Sequence, residues 1–109
     1  MKKASQTITY TRNSNGFKKT ETVDLFVGVG ATLGVGSDCY PYTVWDWRVT
    51  KGGKLIVFIT GDSHKLNDGK IEYTSNEPSE TNPAQEINLS QRNCRFWVGN
   101  RRFYQDPSY

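Results

Sequence analysis

The sequence holds one histidine, two cysteines, a single methionine and no apolar stretch of membrane length. Each shortage excludes a class of protein. Structural zinc sites are built from Cys and His; with His64 alone, and Cys39 and Cys94 far apart outside any CxxC spacing, carboxylates would have to complete one. No metal or other cofactor is expected. A Cys39–Cys94 disulfide would close a long loop and contribute about 4 kcal/mol, but nothing in the chain marks an oxidising compartment, so two free thiols are expected. No window approaches the ~20 apolar residues of a bilayer span. The basic start, MKKASQTITY, lacks the apolar region of a secretion signal, so the expected location is the cytoplasm, with no membrane partner.

Helical periodicity is missing as well. No window of helical length repeats apolar residues at three and four, and β-branched and aromatic residues dominate the apolar set. The three Trp, six Tyr and five Phe supply large apolar areas to what must be a small core. At 109 residues the chain is read as one β domain, 1–109, with a polar loop at 74–85 (TSNEPSETNPAQ).

Alternation places the strands. Ile8 and Tyr10 alternate with Thr7, Thr9 and Thr11; Asn15-Gly16 is a turn dipeptide; Phe17, Val23 and Leu25 then share a face, which predicts a hairpin. From Tyr42 to Val49, strict alternation puts Thr43, Trp45, Trp47 and Val49 on one side and Tyr42, Val44, Asp46 and Arg48 on the other. Leu55 to Ile59 are apolar on both faces, as in a central strand or a barrel wall. Gly61-Asp62 ends that strand, and His64 falls in a polar loop between turn signals. Strands are also predicted at 86–90 and 94–98, with Arg92-Asn93 turning the chain between them and Gly99-Asn100 folding it back through Arg101 to Tyr104. The expected class is all-β: a small SH3-like barrel or two-layer β-sandwich of about six to eight short antiparallel strands.

The glycine run 28–36 lacks phosphate-loop spacing, and Pro41 after it is followed by a strand pattern rather than a helix. Its glycines are therefore read as places of bending and close backbone approach. Asp62, Ser63 and His64 are adjacent, but a catalytic triad is defined by convergence in space, and the carboxylates show no pairing. No catalytic residue and no small-molecule substrate are assigned.

Charge is segregated rather than abundant. The net charge is only +3, yet residues 1–19 and 92–104 carry bases without acids, while Glu72, Glu77, Glu80 and Glu86 lie between 71 and 91 without bases. Aromatics interleave with the bases in the last segment: Arg92, Arg95, Phe96, Trp97, Arg101, Arg102, Phe103 and Tyr104. Flat rings stack on bases while guanidinium groups hold phosphates, which is how small β domains grip single strands. The same rings can instead serve a core or a protein interface.

The segments VGVGAT (27–32), SDCYPYTV (37–44), Gly53-Lys54 and RRFYQDPSY (101–109) together resemble a family of small β-rich proteins, without assigned function, of tailed bacteriophages and prophages. The resemblance implies a phage or mobile-element origin, a compact SH3-like β domain and a host-cell cytoplasmic location; it supplies no activity. Members of that family usually carry a longer basic stretch after the GK-initiated strand, where this chain has its acidic loop at 72–86, which weighs against simple polyanion binding. The leading expectation is a non-enzymatic binding module for nucleic acid or a nucleoprotein. Arg92, Arg95, Arg101 and Arg102 would meet phosphates, with Trp97 or Tyr104 stacking. The alternatives are an inhibitor that binds host defence proteins, its acidic loop imitating nucleic acid, and a structural component of a virion or homo-oligomer.

Overall fold

The computed structural model describes residues 4–14, 16–91 and 94–105. Asn15 of the expected first turn, the Arg92-Asn93 turn and the terminal residues 106–109 lie outside the described residues. The described chain is all-β and antiparallel: β1 (Gln6–Ser14), β2 (Phe17–Leu25), β3 (Val29–Val35), β4 (Asp38–Val49), β5 (Leu55–Gly61), β6 (Ser63–Asn67), β7 (Lys70–Thr74), β8 (Gln85–Asn88) and β9 (Phe96–Val98). Five strands form one sheet in the order β8-β5-β4-β3-β9, and β1-β2 and β6-β7 are separate hairpins. No helix among the described residues is long and apolar enough to cross a membrane.

The core lies between the five-stranded sheet and the β1-β2 hairpin. Leu55, Val57 and Ile59, spaced two apart on β5, are fully buried, as are Ala31, Val44 and Phe96 from neighbouring strands. Tyr10 and Leu25 close over them from the hairpin. Each fully buried aliphatic or phenyl side chain contributes about 1.5–3 kcal/mol. The opposite face of β5, carrying Ile56 and Phe58, is half-buried, in keeping with an interior strand.

A bulge corrects the expected face of one tryptophan. The β4-β5 register runs Val44↔Ile59 and then Asp46↔Phe58, so Trp45 has no partner across the sheet. The extra residue inverts the alternation, and Val44 and Trp47 both face the core. Trp45 turns to the outer side, where its indole N–H donates to Thr60 Oγ1 at 2.7 Å. Trp47, 2% exposed, donates to Gln6 Oε1 of β1 at 2.7 Å and so ties the two layers. Phe17 has the predicted parity, but it sits at the hairpin tip and is 78% exposed.

A buried cation joins the hairpin to the last strand. Arg12 donates to Glu21 (2.9 Å), to Tyr10 Oη (3.0 Å) and to the carbonyls of Cys94 and Phe96 (both 2.9 Å). Burial raises the Tyr10 pKa above its ordinary value, with Arg12 opposing and Glu21 adding to the rise. Burial works against the Arg12 charge, but the Tyr10 and Glu21 interactions outweigh it and raise its pKa.

His64 lies in β6 rather than in a loop. A single residue, Asp62, separates β5 from β6, so the turn signal at Gly61-Asp62 marks a corner instead of a long connection. His64 pairs across the hairpin with Tyr73, and its ring stacks on Phe103 with centroids 3.8 Å apart. Cys39 and Cys94 are free thiols.

Candidate functional site

The last predicted hairpin does not form; the chain after β9 crosses the sheet instead. Gly99 N–H donates to the Gly30 carbonyl at 2.7 Å, and Tyr104 then makes an antiparallel bridge with Cys39 at the start of β4. Phe103 N–H donates to Tyr73 Oη at 3.1 Å. Residues 95–99 thus lie beside β3 in the sheet, and the chain after Gly99 crosses to the start of β4. The site takes its shape from what the outward face of β3 presents.

Alternation along β3 turns Val29, Ala31 and Leu33 to the core side and leaves Gly30, Thr32 and Gly34 outward. Two glycines four residues apart make a low surface, and an arginine lies across each. A methyl group on Gly30 would stand 2.8 Å from Arg101 Cγ, and one on Gly34 would stand 3.1 Å from the Arg95 guanidinium. The close approach expected of these glycines is to protein side chains.

The two arginines have different partners. Arg101 Nε donates to Asp62 Oδ2 at 2.6 Å, and its Nη2 donates to Thr43 Oγ1, Ser75 Oγ and the Gly28 carbonyl. Thr43 Oγ1 donates to the other Asp62 oxygen at 2.6 Å. The Asp62 side chain is fully buried. Arg101, expected on a phosphate, is instead engaged here in an ion pair with a buried carboxylate. Arg95 is exposed and spends one nitrogen, Nη1, on the Gly36 carbonyl at 2.7 Å.

Beside Arg95 runs an open groove of about 490 Å³ lined by Thr32, Cys39, Arg95, Trp97, Val98, Asn100 and Arg102. Trp97 stands opposite Thr32 in the β3-β9 register and is 46% exposed. Arg102 is exposed, with no hydrogen bond or ion pair to another described residue. The structure thus brings together Arg95, Trp97 and Arg102 of the residues singled out in the sequence. Tyr104, also 46% exposed, does not line the groove and reaches it only through its bridge partner Cys39. Arg92 lies outside the described residues.

Thr32, Asn100 and Cys39 were not legible as site residues. Thr32 and Cys39 sit at register positions that only the β3-β4 and β3-β9 pairings define. Asn100 looked like a turn residue beside Gly99.

The acidic block does not neutralise this face. Among the described residues Glu86 pairs with Arg48, Glu21 with Arg12 and Asp62 with Arg101. A larger hollow of about 700 Å³ is lined by Tyr42, Ser75, Asn76, Glu77 and other polar residues around the 74–85 loop, and its carboxylate is ill suited to an anionic ligand. Among the described residues no group of three His, Cys, Asp or Glu side chains is placed to hold a metal ion. Fold and groove define a small all-β protein with an open arginine-aromatic face. No family model matches the chain, and neither a curated protein nor a solved structure does.

Proposed function

We propose that this protein is a non-enzymatic binding module that engages nucleic acid through the groove of Arg95, Trp97 and Arg102. The observation that carries the reading is the half-exposed Trp97 indole, lining one open groove together with two guanidinium groups. An indole face offers a sequence-tolerant platform for a base, and guanidinium groups complement phosphate oxygens in charge and geometry. Arg101, held by Asp62, adds no phosphate contact.

Titration of a labelled oligonucleotide over a salt series tests this. Binding should weaken as salt rises. Arg95→Ala and Arg102→Ala should each flatten the log–log slope by about 0.7, the contribution of one phosphate on a single strand. Trp97→Ala should leave the slope unchanged and weaken binding roughly tenfold to a hundredfold, the usual range for losing one stacked base. No binding at low salt, or a triple variant that binds like the parent, would overturn the proposal.

A further inference from the structure

Three groups in the groove have no partner among the described residues: the Trp97 ring face, the Arg102 guanidinium and the Asn100 carboxamide. The backbone beneath the carboxamide is fixed. Thr32 Oγ1 donates to the Asn100 carbonyl at 2.7 Å, one residue after Gly99 is anchored to Gly30. Thr32, only 7% exposed, is also the register partner of Trp97. The ring and the amide are thus both positioned from a single buried residue. Arg101 turns inward between Asn100 and Arg102, and both of these neighbours line the groove.

Building on the nucleic-acid reading above, we infer that the groove takes one nucleobase of an unpaired strand, stacked on Trp97 with its Hoogsteen edge at the Asn100 carboxamide, and that adenine fits best. A ring face meets an indole only when the base is not already stacked in a duplex. At about 30 Å³ per water in the liquid, the groove holds roughly sixteen waters, room for one nucleotide. The carboxamide sets a donor beside an acceptor; on the Hoogsteen edge adenine alone offers the complement, its N6 amino group beside N7, where guanine shows two acceptors and the pyrimidines a single polar group. Arg95 and Arg102 carry donors only and suit phosphate; were they to read the base, guanine with its O6 and N7 acceptors would be preferred.

The test uses end-labelled dT octamers, unsubstituted or with one central dA, dG or dC, titrated at low salt with anisotropy as the readout. The dA octamer should bind about tenfold tighter than the other three, as one bidentate base contact would give. Asn100→Ala should erase that advantage while leaving the salt slope intact. Thr32→Val should blunt it and Thr32→Ser restore it, a pattern that simple loss of stability would not produce. Equal affinity for all four octamers, a preference for dG, a dA preference that survives Asn100→Ala, or equal binding of a duplex would overturn the inference. If no octamer binds at all, the nucleic-acid reading itself fails, an outcome distinct from loss of base preference.

Discussion

Arg101 and Arg102 are consecutive, yet one is held in an ion pair with a buried carboxylate and the other lines an open groove with no hydrogen bond or ion pair to another described residue. Both regions occupy the outward face of the same sheet, and each has an arginine laid across a glycine of β3. What separates them is a carboxylate within reach. Asp62, fully buried at the corner between β5 and β6, needs a cation and finds Arg101. In the groove Arg95 meets the Gly36 carbonyl, and Arg102 makes no hydrogen bond or ion pair to another described residue. An arginine becomes scaffold where a buried acid demands it, and remains available for a ligand where none does.

The largest expected effect breaks the ion pair. Arg101→Ala leaves the Asp62 carboxylate buried with the Thr43 hydroxyl as its remaining donor among the contacts described, and should cost about 3 kcal/mol of stability. Arg102→Ala should change stability by less than about 0.5 kcal/mol. Urea unfolding of both variants checks this, and equal losses would erase the distinction between the two regions.

The glycines sharpen the contrast at a smaller scale. A methyl group on Gly30 would press on Arg101 Cγ, part of a side chain pinned at its other end by Asp62, Thr43 and Ser75, so Gly30→Ala should cost about 1–3 kcal/mol. On Gly34 it would meet the far end of the exposed Arg95, which can swing aside. Gly34→Ala should therefore be near neutral, within about 0.5 kcal/mol, in the same measurement.

The smallest effect concerns the buried Arg12 cluster in alkali. Arg12 shares its carboxylate with a phenol, Tyr10, whose pKa burial raises above the ordinary 10.0. Between the unfolded and folded values the native protein keeps a proton that the unfolded chain releases. The stability this contributes is whole below the ordinary value and is lost as pH climbs through the folded one. Tyr10→Phe, though less stable at neutral pH, should lose less on going from about pH 9 to pH 11 than the parent does. Parallel alkaline limbs for the two proteins would place the sensitive group elsewhere.

The fold was legible where local chemistry decides it. Ile8 and Tyr10 alternate with threonines and do face the core, and Asn67-Asp68-Gly69 turns the β6-β7 hairpin with Asp68 and Gly69 both at positive φ. The all-β class followed from such patterns. The Trp45 bulge was not legible, because period two carries no mark of an inserted residue and the choice rests on how β5 packs. The site was legible in composition more than in arrangement. Arg95, Trp97 and Arg102 stood out as bases among aromatics, but the fate of Arg101 depends on an acid 39 positions away. The role of Asn100 depends on a threonine 68 positions away. Contacts of that span are set by topology, which local pattern does not encode.

Arg12 carries one more implication. With β3 on one side, β9 has no neighbouring strand among the described residues on the other, where its row of peptide oxygens would serve as a template for sheet growth between molecules. The guanidinium occupies two of those oxygens, those of Cys94 and Phe96, and gives an incoming chain nothing to copy. A single charged side chain thus does the work of a guard strand.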